Sequence, residues 1–379
     1  RDLSAGSGAG AGSGNTIHKS TLAYAKNSAF TVSVGAMTVK ALDQAAILAG
    51  AGGIGLAGNF GGTGLGVSAG VSVSINDIAN TVKSYVESST LVVGGLLDVA
   101  AQSAGSIQAL AIGGALAAAV GGATGAALAI GVTVAKNKND NDVEAYLRDV
   151  RQPTGGRFGA VHVAAVHDAA IESLSVAASL AVGASTGAGI ALSGGGAVAT
   201  NIVLGKTNAF VEASNLVSTG DFTVTTNDRS TIDATVPAVA VSVGVGGNFG
   251  VAASIGVSVA RNFIGYDPSG GDSLAVSYTT DQDATTLTAG QRVRVAHGAM
   301  QGDVYEYLGL TLTDGDAQQA GAQPIDLSSQ NFQDSTIWKQ VGLTATPGQV
   351  EAYSLNSSLT TSGRLTLESR AEQTIDAVV

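Results

Sequence analysis

Residues Ile107 to Asn137 read IQALAIGGALAAAVGGATGAALAIGVTVAKN, with no charged side chain before Lys136. The stretch is long enough for a membrane helix. Glycine recurs through it, however, at about 1 kcal/mol per position relative to alanine in a helix interior. Its end alternates as Val132-Thr133-Val134, a period-two pattern that belongs to a strand. The segment therefore reads as two strands joined by a glycine turn near Gly121-Gly122. Its continuous Ala, Val and Gly character predicts burial on both faces.

Working outward, the same grammar recurs along the chain. An apolar pair one residue apart occurs at Met37/Val39, Leu97/Val99, Val161/Val163, Phe222/Val224 and Leu365/Leu367. An isoleucine follows the second member by eight residues every time: Ile47, Ile107, Ile171, Ile232 and Ile375. An asparagine ends the small-residue strand at Asn76, Asn137, Asn201 and Asn262, and Asn15 is a fifth of the same kind. These anchors predict stacked units of about sixty residues. Their boundaries fall at 1–15 (the closing strand of a preceding unit), 16–76, 77–137, 138–201, 202–262 and 263–379. Each row asparagine is expected to tolerate a left-handed turn and to stack its amide on the next copy.

Such units cannot bury their apolar faces alone, so they must stack on one another. The expected fold is all-β. It is an elongated tandem-repeat β-solenoid or a stacked two-layer β-sheet, with glycine permitting close sheet approach. The pattern leaves parallel coils and antiparallel hairpins both open. In the hairpin reading the turns fall at Gly58 to Gly61, Gly121 to Gly125, Ser185 to Gly189 and Gly247 to Gly250. The ends read as two partial units, Ser4 to Asn15 and Ile375 to Val379. They suggest either a window on a longer tandem polypeptide or head-to-tail assembly.

Composition narrows the function. The chain has 379 residues with 53 glycines, 4% aromatic and 12% charged residues, which implies a thin core of small side chains. A net charge of −11 without a basic run excludes nucleic acid and anionic lipid as natural partners. The absence of cysteine rules out disulfide staples and suits an exported protein. Arg1-Asp2-Leu3-Ser4 lacks the features of a signal peptide, so an export signal would be removed or lie elsewhere.

The fifth unit is interrupted at about 267–348, where an inserted β-module is expected. Strands at Gln291 to Val295 and Val304 to Leu308 flank a turn at Gly298 to Gly302, and a third covers Ile337 to Val341. Its aromatics Tyr305, Tyr307 and Trp338 are either the module's own core or rings on which a sugar stacks. In this the insert resembles small aromatic β-modules that bind polysaccharide.

Catalytic patterns are nearly absent. His162 and His167, five apart, fall on opposite strand faces. No nucleophile elbow, His-Glu-x-x-His or phosphate loop occurs in context. A β-helical polysaccharide-degrading enzyme would need clustered carboxylates and bases, whereas the charges here are spread thinly. No cofactor is expected beyond a weak calcium candidate at Asn137, Asn139, Asp140, Asn141 and Asp142, where alternate oxygen side chains compete with an ordinary solvated turn.

Asn-terminated Gly-Val-Ser-Val-type strands, Ala/Gly-rich arms and five diverged copies resemble the giant repetitive surface proteins of bacteria, filamentous-haemagglutinin-like adhesins among them. That resemblance implies export to the cell surface or matrix and a role in adhesion, cohesion or filament formation. The expected function is a non-enzymatic structural scaffold. Its partners would be other copies or neighbouring repeats, with no membrane-spanning segment. A carbohydrate-binding adhesin acting through the insert is the alternative.

Overall fold

A computed structural model describes residues 2–268, 275–297, 302–313, 324–332, 334, 336–341 and 348–379. The chain divides into Arg1–Ile264 with Gln349–Val379, and Gly265–Gly348. It is all-β; among the described residues there is no α-helix.

The first unit contains β1 (Asp2–Lys26), β2 (Ala29–Val32), β3 (Met37–Asp43), β4 (Ala46–Glu87), β5 (Thr90–Val93) and β6 (Leu96–Arg148). It continues with β7 (Ala160–Ser185), β8 (Ala188–Glu212), β9 (Asn215–Ser218), β10 (Phe222–Thr235), β11 (Ala238–Gly246) and β12 (Phe249–Ile264). After the eight described strands of the second unit come β21 (Gln349–Leu355), β22 (Ser358–Thr361), β23 (Leu365–Ala371) and β24 (Thr374–Val378). Every pairing between these strands is parallel. Like residues face like: Asn15 pairs with Asn76, Asn76 with Asn137, Asn137 with Asn201 and Asn201 with Asn262.

β6 shows how the glycine-rich arm is made. Its residues 107–121 pair with 47–61 of β4 and 171–185 of β7. Its residues 124–148 pair with β4 again and with β8. The chain therefore reverses at Gly121–Thr124 without bonding to itself. The two legs lie face to face, each hydrogen-bonded to the tiers above and below. The strands are thus parallel, a choice the sequence left open, since period-two alternation is common to both arrangements. The legs approach so closely that a Cβ on Gly53 would strike the Val71 carbonyl oxygen, and one on Gly70 that of Gly114. Between the legs lie buried alanines such as Ala117, Ala119, Ala129 and Ala181.

Burial on both faces was the wrong expectation for the arm. The inner faces carry Ala, Gly and Ser, while Leu116, Val120, Ile130 and Leu180 point outward and are 37–42% exposed. Strand alternation separates the two sets, and only the small ones fit between the legs.

Beyond the arm, the larger side chains form the core. Val99, Val163, Val224, Leu97 and Phe222 pack with Leu91, Phe158 and Leu216 in one cluster. Ile47, Ile107, Ile171 and Ile232 stack in another with Ile78 and Val203. Ile375, the fifth isoleucine of the series, is instead 47% exposed because β24 pairs only with β10.

The second unit is a small β-module. β13 (Tyr278–Thr279), β16 (Arg292–Arg294), β17 (Val304–Tyr307) and β20 (Trp338–Val341) form one sheet in that order. β17 runs antiparallel to both β16 and β20. β14 (Asp283–Ala284) pairs with β19 (Ile325–Asp326), and β15 (Thr286–Leu287) with β18 (Leu312–Thr313). Of the expected turn, residues 298–301 lie outside the described residues. The base is closed by the Gly348 amide donating to the Gly265 carbonyl at 2.6 Å. In the first unit, β12 leaves opposite Val203 and β21 returns opposite Lys206, so the chain departs and re-enters within one short step of β8.

Candidate functional site

The chemistry-bearing side chains of the first unit stand in rows that cross the tiers. The parallel register makes them: residues paired in the ladder share a face and lie one strand spacing apart.

The asparagine row is the most buried. Asn15 Nδ2 donates to Asn76 Oδ1, Asn76 to Asn137, Asn137 to Asn201 and Asn201 to Asn262, each at 2.8 Å. The amides all run the same way, so the row is polar. Among the described residues no hydrogen bond reaches Asn15 Oδ1 at one end, and none leaves Asn262 Nδ2 at the other. The expected amide stacking is present, but the left-handed turn is not at these positions. It occurs at Asn27, Ser88, Asp149, Ala213 and Asn356, with φ between 46° and 51°.

These corner residues were not legible from type, because Ser88 and Ala213 stand among them beside Asn27, Asp149 and Asn356. The serine that follows most of them was the available signal. Ser28, Ser89, Ser214 and Ser357 each donate their hydroxyl to the carbonyl two residues back at 2.8 Å. Ser89 and Ser214 also accept a backbone N–H from the adjacent tier, from Ser28 and Val150.

Nine residues after each of the first four row asparagines stands an aromatic ring, a regularity also missed. Tyr24, Tyr85, Tyr146, Phe210 and Tyr353 stack at centroid separations of 4.7–5.1 Å, within 7° of parallel. Burial, aided by the Glu87 charge, pushes the Tyr146 phenol up to about 12. Two positions further on, signs alternate. Lys26 Nζ lies 2.8 Å from Glu87, and Arg148 Nε lies 2.7 Å from Glu212 and its Nη1 3.9 Å from Glu87. The Lys26 hydrogen bond holds the Glu87 carboxyl below its ordinary value despite burial, with help from the charges of Lys26 and Arg148.

A polar seam runs inside the tiers. Asn141 Nδ2 donates to Asn139 Oδ1 at 2.8 Å, and Asn139 Nδ2 to the Gly105 carbonyl at 3.0 Å. Asn80 Nδ2 donates to Asp43 at 2.9 Å. His167, 1% exposed, hydrogen-bonds through Nδ1 to Asp228 Oδ2 at 3.4 Å. Burial pushes Asp228 up, but hydrogen bonds from His167, Ser230 and Gln373 and the charge of His167 hold it below the usual carboxylate range. His162 lies elsewhere, 2.8 Å from Asp98.

The calcium candidates do not converge. They lie on the continuous strand β6, not on a turn, so Asn137, Asn139 and Asn141 point inward while Asp140 and Asp142 point the other way. Lys138 pairs with Asp140 at 3.2 Å, and burial raises the Asp142 carboxyl. Among the described residues no group of three acidic, His or Cys side chains is placed to hold a metal. Tyr305, Tyr307 and Trp338 are 2–7% exposed and pack with Phe332 in the core of the second unit. Their ring faces are covered, so sugar stacking on them would require opening that core.

Among the described residues no helix is long and apolar enough to cross a membrane. No protein-family model, curated protein or solved structure matches the chain.

Proposed function

We propose that this chain is a β-solenoid of roughly sixty-residue coils, acting as a non-enzymatic structural element of an extracellular filament, sheath or matrix. Its coils extend by stacking on those of another copy or of neighbouring repeats. The observation that supports this is the polar asparagine row, with an open acceptor at Asn15 and an open donor at Asn262. A second copy placed end to end supplies each with the other.

The backbone edges match in the same sense. β1 leaves one edge unpaired, and β12 with β21 occupies the equivalent positions in the last tier. Parallel strand addition across that junction continues the sheet and covers both edges. Stacked amides and rings set the register, since a one-residue slip turns every row to the wrong face.

Sedimentation velocity and electron microscopy of the purified chain test the reading. Particles lengthening along one axis as concentration rises to tens of micromolar are expected, and Asn15→Leu shifts that growth to at least tenfold higher concentration. A monodisperse monomer throughout refutes it.

A further inference from the structure

The outward faces of the arm are uncharged over most of their depth. On the face built by β4, β6, β7 and β11, the in-register row Leu56, Leu116, Leu180 and Val241 stands as a ridge, with exposures of 37–62%. In the row two positions toward the base, Ile54, Gly114, Ala178 and Val239, the Ile54 side chain leans over the buried Gly114 and the exposed Ala178 leaves a low spot beside it. Gly58 and Ala118 form a second low spot on the tip side.

We infer that this face is a docking surface for the same face of a second copy, the two arms lying antiparallel across a two-fold axis. The area agrees. Four strands at ~4.8 Å spacing and thirteen residues at ~3.3 Å each cover roughly 800 Å². That is about the area each partner buries in a standard stable interface. The relief is self-complementary, because a ridge with a low spot on either side, at Ala178 and at Gly58 with Ala118, receives its own copy when inverted. Charge selects the orientation. At the base of the arm Glu172 and Asp233 stand in adjacent tiers of one row. Antiparallel pairing sets each acidic base beside the other copy's uncharged tip, whereas parallel pairing would oppose the two rows.

A lipid surface fits less well. The same acidic row and the net charge of −11 repel anionic headgroups. The glycine tip would also carry backbone groups into hydrocarbon, where nothing satisfies them.

This lateral contact rests on the tiered stack but not on end-to-end extension, and the experiment separates them. The full chain is compared with Leu116→Lys/Leu180→Lys and with Asn15→Leu by sedimentation velocity, with circular dichroism checking the fold. Side-by-side pairs that survive Asn15→Leu and weaken at least tenfold in the lysine variant are expected. Because the chain has no cysteine, Leu180→Cys with a short bis-maleimide reports the contact even if the lysine variant does not fold, and a cross-linked dimer is expected. Pairing that persists in a folded lysine variant, or no Leu180→Cys cross-link, overturns the proposal. End-to-end growth without lateral pairs overturns it while leaving the solenoid reading intact. Flotation of unpaired chain with neutral phosphatidylcholine vesicles, lost in the lysine variant, assigns the face to lipid and overturns it too.

Discussion

Asn137 Nδ2 lies 2.8 Å from Asn201 Oδ1, although 64 residues separate the two. The neighbouring links of that row span 61 residues. The three additional residues fall in the loop between β6 and β7, which contains Pro153 and a Gly155 with φ of 79°. The register survives because the extra length is placed where no ladder runs.

Asn137 is the row's central amide, donating to Asn201 and accepting from Asn76. Asn137→Ala leaves a buried donor on one side and a buried acceptor on the other, at about 1–3 kcal/mol each. Asn137→Asp adds a buried charge and is expected to be worse. Denaturant midpoints of the two variants against the parent check the order.

The glycines of the arm divide by face. A Cβ at Gly70 would strike the Gly114 carbonyl oxygen, whereas one at Gly58 meets nothing within 4 Å. Gly70→Ala forces the legs apart and is expected to cost at least about 1–3 kcal/mol. Gly58→Ala is expected to be neutral or to stabilise by up to ~1 kcal/mol, through the lower entropy of the unfolded chain. Thermal melting of both separates close packing from a general effect of losing glycine.

Tyr146 sits between Tyr85 and Phe210 in the ring stack. Tyr146→Ala opens a hole the size of a ring and is expected to cost about 3–5 kcal/mol. Tyr146→Phe keeps the stack and loses only a 3.4 Å hydrogen bond to Glu87. In an ultraviolet titration of the folded chain, the Tyr146 phenol ionises at about 12, above the ordinary tyrosine range, and the Tyr146→Phe variant lacks that step.

Asp228 gives the seam an acid dependence. Its folded pKa lies below the ordinary value, so the stability it contributes is fully present above the unfolded pKa of about 3.9. That stability is lost as pH falls through the folded value. Asp228→Asn is expected to flatten the loss of stability below about pH 4. Denaturation midpoints at pH 3, 4 and 6 for parent and variant check this.

The stacking of like on like was legible because spacing survives divergence of residue type. Five isoleucines eight residues after an apolar pair identified the core column, although Ile375 lies at the sheet edge and outside that core. Strand direction was not legible, since alternation of small and large residues is the same in a hairpin as in a parallel ladder. Nor was the exposure of Leu116 and Ile130, because apolar residues on an outer face read like those of a buried strand. The corner at Ala213 carries no signal in its own residue type; the serine that follows it, Ser214, is its sequence cue. The tyrosines at 24, 85 and 146 were in plain view, but nothing local distinguishes a stacked ring from an isolated surface one.

The exit of β12 opposite Val203 and return of β21 opposite Lys206 make the second unit a removable passenger. Between those points β8 carries Leu204 and Gly205, and β4 is unpaired with β6 at the equivalent Ala79 and Asn80. The ladder is thus already broken at that position between β4 and β6, although β1–β4 and β6–β8 run through it, and eighty-four residues are spliced in at the same position after β12. An enzyme, a tag or a different β-module whose ends lie as close together as Gly265 and Gly348 meets the same boundary conditions. That position is therefore where a different module is expected to be accommodated without retuning the rows that hold the first unit together.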